Sequence, residues 1–101
     1  MSRLGLYTRF NTHEDQRETL VQILLRAAAD MTAVDGCQCY VVNVTEDDPD
    51  TVWVTELWAD EAAHQASLAT DASKALIQQA RPLITSVEQI KLRPVGGKGI
   101  S

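Results

Sequence analysis

The sequence predicts an α+β fold in which helices cover one face of a four-stranded antiparallel sheet. Four segments alternate apolar and polar side chains with the period of a strand, and two longer segments carry apolar side chains at helical spacing. These segments follow one another in the order β-α-β-β-α-β, which is the ferredoxin-like, or split β-α-β, arrangement. We therefore expect a single domain over residues 1–94 and a flexible C-terminal tail over residues 95–101.

The first part of this pattern is a strand followed by a long helix. Side chains alternate over residues 3–10, and Asn11 or Thr12 can then cap a helix. The helix is predicted from about residue 14 to residue 32, where apolar side chains recur every three or four positions. These apolar residues are Leu20, Ile23, Leu24, Ala27, Ala28 and Met31.

The middle of the chain predicts an antiparallel hairpin. Strand patterns over residues 37–44 and 51–59 flank an acidic turn at residues 46–50, which contains Pro49. Both strands are apolar on both faces. A sheet with two apolar faces needs two covers, whereas the helices of one chain cover only one. We expect the second face to meet another copy of the chain.

The last part of the chain predicts a broken helix and a fourth strand. Helical spacing extends over residues 61–69, is interrupted near Thr70-Asp71, and continues to Arg81-Pro82. Residues 84–93 then alternate as a strand does.

The richest side-chain chemistry lies where the third strand meets the second helix. Glu56 and Trp58 share one face of that strand, because side chains two positions apart point the same way. Asp60 can cap the helix that follows, and His64 comes one turn later. The corner therefore gathers a carboxylate, an indole and an imidazole.

Composition and charge argue against nucleic-acid and membrane partners. The chain of 101 residues has a net charge of −5, and its nine basic residues are scattered instead of clustered. No apolar run approaches the roughly 20 residues of a membrane span, and Met1 leads directly into a strand-like segment. We expect a cytoplasmic location.

The two cysteines, Cys37 and Cys39, are expected to be small buried hydrophobic residues that share one strand face. Two residues so close in an extended chain are poorly placed for a disulfide. No further Cys or His follows at the spacing of a zinc site, so we expect no metal.

Several local sequences are distinctive beyond the element order. They are Gly36-Cys37, residues 53–64, Ala66-Ser67-Leu68 and Arg81-Pro82-Leu83-Ile84. Together, over roughly residues 3–93, they resemble the antibiotic biosynthesis monooxygenase (ABM) domain family. The resemblance implies a dimeric α+β barrel, in which two sheets pack face to face and each protomer holds a pocket between its sheet and helices. It also implies oxidation of quinols or polycyclic anthrones by molecular oxygen, with no flavin, haem or metal cofactor.

The resemblance to the anthrone-oxidising members is partial. Those members place in their pocket a strand-three Trp, a helix Tyr six residues later and an Asn four residues before the Trp. Trp58 matches the Trp, whereas His64 and Val54 stand at the Tyr and Asn positions. The anthrone substrate of those members is therefore not expected for this chain.

A haem-degrading branch of the superfamily is similar in fold but differs at its functional positions. It uses an Asn on strand one, a Trp about two helical turns after the corner and a His ligand further along. The corresponding positions lie near Thr8, Ser67 and residues 74–77, and none offers the needed group. Haem cleavage by that mechanism is not expected.

Five residues form the predicted site. His64 and Glu56 are the predicted catalytic pair, because an imidazole and a buried carboxyl can both accept protons. Trp58, Asn43 and Tyr40 are the predicted substrate-binding residues. Asn43 and Tyr40 lie on opposite faces of one strand, so only one of them can reach the cavity. The alternatives are a surface position for His64, a core position for Trp58, and a salt bridge or dimer contact for Glu56.

Three functions are compatible with this site. The first is a homodimeric, cofactor-independent monooxygenase that acts on a small quinol-like or polycyclic aromatic substrate with molecular oxygen. The second is an isomerase of a small hydroxyketone, in which His64 and Glu56 move protons. The third is a ligand-binding module without turnover.

Overall fold

The computed structural model describes residues 3–99, which contain four strands and three α-helices. The strands are β1 (Leu4–Thr12), β2 (Cys37–Asn43), β3 (Thr51–Trp58) and β4 (Ile84–Leu92). The helices are α1 (Arg17–Met31), α2 (Glu61–Leu68) and α3 (Asp71–Ala80), and a 3₁₀ turn over Arg81–Leu83 leads into β4. Residues 1, 2, 100 and 101, which include the end of the predicted tail, lie outside the described residues.

The strands form one antiparallel sheet in the order β2-β3-β1-β4. This arrangement confirms the predicted α+β, ferredoxin-like fold, with the second predicted helix divided into α2 and α3. The division occurs at Thr70, whose hydroxyl oxygen accepts a hydrogen bond from the Ser73 N–H (3.1 Å) and caps α3.

The strand register assigns the side chains of the sheet to two faces. One line of paired residues across the sheet, on the face that the helices cover, is Val42, Val54, Thr8 and Gln89. The neighbouring line, on the opposite face, is Val41, Thr55, Tyr7 and Ile90. We call the first the inner face and the second the open face.

The core lies between the inner face and the helices. One cluster joins α1, β3 and α3 through Leu20, Ile23, Leu24, Val52, Val54 and Ala80. A second cluster joins Leu4 and Leu6 of β1 to Trp58 at the end of β3. Trp58 is only 1% exposed, and burying an aromatic or branched side chain of this kind contributes about 1.5–3 kcal/mol.

The open face carries exposed apolar side chains in the single chain. Tyr7, Val41, Ile90 and Leu92 are between 42% and 54% exposed. Arg9 also lies on this face, where its guanidinium stands 5.7 Å from the ring centroid of Trp53. A contiguous apolar surface of this kind is typical of an interaction site.

The prediction that both cysteines share a strand face is wrong. The register of β2 against β3 shifts between Cys37 and Cys39, so that Cys37 pairs with Trp58 and Cys39 with Leu57. A bulge of this kind turns consecutive odd positions to opposite faces. Cys37 consequently packs against the cluster around Trp58, and both thiols are free.

Gly36 holds the start of α2 close to the sheet. Its carbonyl oxygen accepts a hydrogen bond from the Ala59 N–H (2.8 Å). A Cβ atom at Gly36 would lie 2.5 Å from the Cβ of Ala63, which is closer than two carbon atoms can approach. The absence of a side chain at Gly36 therefore sets how closely α2 can approach β2.

Gly36→Ala is expected to destabilise the fold by about 1–3 kcal/mol, because the new methyl group overpacks against Ala63. Adding Ala63→Gly removes the clash and leaves only the cost of a helical glycine, about 1 kcal/mol. Urea unfolding of both single variants and the double variant measures this coupling. A double variant no more stable than Gly36→Ala would contradict the proposed contact.

Candidate active site

A cavity of about 640 Å³ lies between the inner face and the helices. Most of its walls are apolar, and they include Phe10, Ile23, Leu24, Leu76, Ile77 and Ala80. Its polar lining includes Thr8, Tyr40, Glu56, His64 and Gln89. This volume is in the range of small-molecule sites, which are typically apolar with a few placed polar groups.

The structure brings Glu56, Trp58 and His64 together at one end of this cavity. The indole N–H of Trp58 donates a hydrogen bond to Oε1 of Glu56 (3.0 Å). Nε2 of His64 lies 4.0 Å from the same oxygen, and both side chains are nearly buried, with 13% of His64 and 11% of Glu56 exposed. The His64 ring packs edge-on against Trp58, with 5.2 Å between ring centroids.

Trp58 lines the cavity, but it offers no free hydrogen-bond donor there. Its indole N–H is engaged by Glu56, and its ring is buried in the second core cluster. The donor is therefore not available to a substrate oxygen. Trp58 instead fixes the orientation of the Glu56 carboxylate and supports one side of the His64 ring.

Burial raises the pKa of Glu56, because the charged carboxylate loses contact with water. The hydrogen bond from Trp58 and the nearby His64 favour the charged form but do not cancel the effect of burial. A carboxylate whose pKa is raised holds a proton more tightly than an exposed one. Glu56 is therefore a stronger base than an ordinary surface glutamate.

Tyr40 pairs with Glu56 across the sheet and lines the same cavity. Burial is the main cause that raises the pKa of the Tyr40 hydroxyl, and the nearby Glu56 carboxylate and Cys37 raise it further. The hydroxyl consequently stays protonated across the physiological pH range. It can therefore donate a hydrogen bond to a ligand beside Glu56.

The structure does not bring Asn43 to this site. Asn43 pairs with Trp53 on the open face, whereas Tyr40 and Glu56 lie on the inner face. Its Nδ2 donates hydrogen bonds to the Trp53 carbonyl and the Thr55 hydroxyl, both at 3.2 Å. We therefore give Asn43 no part in substrate binding below.

Local contacts at the start of α2 position His64. The Asp60 carboxylate caps the helix by accepting a hydrogen bond from the Ala63 N–H (2.8 Å). Ser67, one turn after His64, is 7% exposed and donates its hydroxyl hydrogen to the His64 carbonyl (2.6 Å). These contacts fix the first turns of α2, on which the imidazole is carried.

Thr8 and Gln89 are polar cavity residues that were not among the predicted site residues. Thr8 of β1 is 3% exposed and lines the cavity, and Gln89 of β4 stands opposite it. Alternation along β1 places Thr8 on the same face as Leu6 and Phe10, which was the available signal.

Residues 3–99 contain no group of three or more His, Cys, Asp and Glu side chains that could hold a metal ion. No helix in the same range is both long enough and apolar enough to cross a membrane.

Comparison with known proteins identifies the family. The sequence profile of the antibiotic biosynthesis monooxygenase family matches residues 4–79. A solved structure from Chloroflexus aurantiacus J-10-fl, described as a "putative antibiotic biosynthesis monooxygenase", is 37% identical to this chain. It aligns over 99% of this chain and 100% of its own length, with a TM-score of 0.88.

Other solved structures share the fold at lower sequence identity. A protein from Shewanella oneidensis is 26% identical over 92% of this chain and 91% of its own, with a TM-score of 0.85. A second protein described as a "putative antibiotic biosynthesis monooxygenase", from Caulobacter crescentus CB15, is 20% identical over 94% and 92%, with a TM-score of 0.88. No match is found among curated proteins. On the profile match and the relative that is 37% identical, the chain belongs to the antibiotic biosynthesis monooxygenase family.

Proposed function

We propose that this chain is a cofactor-independent monooxygenase that oxidises a small hydroxylated aromatic substrate with molecular oxygen. One observation carries the proposal: Glu56 and His64 stand together at the buried polar end of a cavity whose walls are otherwise mostly apolar. Such a cavity suits a flat aromatic ring and places proton acceptors beside it. Membership of the family, and the names of two of its relatives, support the same class of reaction.

The first step of the proposed reaction removes a hydroxyl proton from the substrate. The raised pKa of Glu56 makes its carboxylate an effective acceptor. The His64 imidazole, 4.0 Å from Oε1 of Glu56, is close enough to share the accepted proton after a small side-chain movement. The Tyr40 hydroxyl stabilises the resulting anion by donating a hydrogen bond to it.

The remaining steps oxidise the substrate anion. It transfers an electron to oxygen, and the resulting substrate radical and superoxide combine at a ring carbon to form a peroxide. Loss of water from the peroxide leaves one oxygen atom in the product and sends the other into water. The substrate supplies all the electrons, so the balance requires no external reductant. The apolar walls limit the contact of these reactive intermediates with water.

Oxygen uptake with a panel of hydroquinones tests the proposed reaction. His64→Gln, which keeps most of the side-chain volume, is expected to lower the rate by about a hundredfold or more. His13→Gln is the matched control, because His13 is exposed outside the cavity and should leave the rate unchanged.

The outcomes separate the candidate functions. A rate unchanged in His64→Gln would remove the imidazole from the mechanism. No oxygen uptake with any hydroquinone would contradict the monooxygenase proposal. Isomerisation of a hydroxyketone without oxygen uptake would instead support the isomerase.

We also propose that the working unit is a homodimer joined through the open face. The apolar side chains of that face are exposed in a single chain, and the helices of the same chain lie on the other side of the sheet. A second copy covers such a surface symmetrically, because the same patch on both copies can be self-complementary. The family resemblance implies the same packing of sheet against sheet.

A further inference from the structure

Thr8 is a buried polar residue that the mechanism above does not use. It lies on the inner face of β1, lines the cavity and is 3% exposed. Gln89 pairs with it on β4, and Nε2 of Gln89 donates a hydrogen bond to Oγ1 of Thr8 (3.0 Å). Gln89 is exposed, so water can meet its remaining hydrogen bonds, whereas a buried hydroxyl is normally satisfied within the protein or by a ligand. The hydrogen bond that Thr8 leaves unmade therefore indicates what the cavity can bind.

The Thr8 hydroxyl retains an uncommitted donor. A threonine hydroxyl can accept and donate at the same time. Its oxygen accepts from Gln89, whereas its hydrogen meets no acceptor among the hydrogen bonds within residues 3–99. Turning the Gln89 amide by half a turn would exchange the two roles and leave amide hydrogens uncommitted instead. In either arrangement the pair offers a donor and an acceptor to a group in the cavity.

This donor stands apart from the catalytic pair along the same face. Thr8 pairs with Val54, so Glu56 is its diagonal neighbour on β3. Diagonal neighbours on one face of a sheet are about 7–8 Å apart. This separation suits an aromatic ring that carries oxygen substituents at opposite ends.

We propose that the Thr8–Gln89 pair binds a second oxygen of the substrate and thereby selects dihydroxylated over monohydroxylated arenes. The inference rests on the proposed function, because the Glu56–His64 end receives the first hydroxyl. The Thr8 hydroxyl donates to the second oxygen, and the Gln89 carbonyl oxygen accepts the hydrogen of that hydroxyl. A site built to hydrogen-bond a hydroxyl discriminates against analogues that lack it, because its own polar groups are then left unpaired.

Binding measured in the absence of oxygen tests this proposal without requiring turnover. Naphthohydroquinone and α-naphthol, which differ by a single hydroxyl, are titrated under argon and their affinities measured by calorimetry. The wild-type protein is expected to bind the diol roughly tenfold to a hundredfold more tightly, as two hydrogen bonds allow. Thr8→Val keeps the shape of the side chain but removes its hydroxyl, and it should lose about tenfold of this preference, the part that one hydrogen bond supplies.

Thr85→Val is the matched control. The Thr85 hydroxyl also lies at the cavity wall, but its hydrogen is already donated to the Asn11 carbonyl (3.1 Å), so this variant should keep the preference for the diol. An unchanged preference in Thr8→Val, no preference in the wild-type protein, or no binding of either compound would each overturn the proposal. A preference that depends on Thr8 without oxygen uptake would sustain it and overturn only the proposed oxidation.

Discussion

Glu56→Gln is expected to abolish most of the oxygen consumption while raising the melting temperature at pH 7. The glutamine retains an acceptor for the indole N–H of Trp58, which donates to Oε1 of Glu56. It cannot accept a proton from the substrate, so the rate should fall by about a hundredfold or more. A loss of activity joined to a gain in stability is typical of a group held in a strained environment for its chemistry.

The gain in stability depends on pH. Burial raises the pKa of Glu56, so the folded protein holds this proton more tightly than the unfolded chain does. The contribution of this group to stability is therefore complete below the pKa of an unfolded glutamate, about 4.3. It is lost as the pH rises through the higher pKa of the folded state. Glutamine undergoes no such loss, so the two proteins should differ at pH 7 and converge near pH 4.

Glu61 is a control for which the expected pH dependence of stability has the opposite sign to that of Glu56. It is exposed on the first turn of α2, and its hydrogen bond with Lys91 is the main cause that lowers its pKa. This contribution is present above the unfolded pKa and is lost as the pH falls through the folded one. Glu61→Gln should therefore slightly lower the melting temperature at pH 7 and leave oxygen consumption unchanged. Thermal scans at both pH values test the pair, and a melting temperature of Glu56→Gln below that of the wild-type protein at pH 7 would contradict the assignment.

Ile90→Asp is expected to convert the proposed homodimer to a monomer. Ile90 is 54% exposed in the single chain and pairs with Tyr7 on the open face. If two sheets meet there, the aspartate is buried without a partner in each copy. An uncompensated buried charge costs about 3–5 kcal/mol, and the dimer would bury two of them, so association is weakened by roughly four to seven orders of magnitude.

Sedimentation velocity over a range of protein concentrations measures this change. Leu25→Asp is the matched control, because Leu25 is 45% exposed but lies on α1, away from the open face. It should leave the oligomeric state unchanged. A monomeric wild-type protein, or a dimer that persists in Ile90→Asp, would show that the open face is not the interface.

The fold could be predicted from the sequence because the patterns that indicate its strands and helices are formed by contiguous residues. Alternation and helical spacing are properties of contiguous residues, and they also placed Glu56 and Trp58 on one strand face. The choice between Tyr40 and Asn43 could not be made in this way, because β2 is apolar on both faces. Its pairing with β3 decides which side chains face the helices.

The contact between Thr8 and Gln89 could not be predicted from local sequence patterns for a different reason. The two residues are 81 positions apart and meet only because β1 pairs with β4 in one register. A shift of that register by a single residue would turn Gln89 to the open face. Sequence patterns of contiguous residues do not predict such a pairing.

The hydrogen bond between Trp58 and Glu56 makes the two oxygens of that carboxylate inequivalent. Oε1 accepts the indole N–H and is also the oxygen that lies nearest His64. The indole therefore tethers the carboxylate by the oxygen nearest the imidazole. It thus keeps the proposed proton acceptor beside the group with which that acceptor shares the proton.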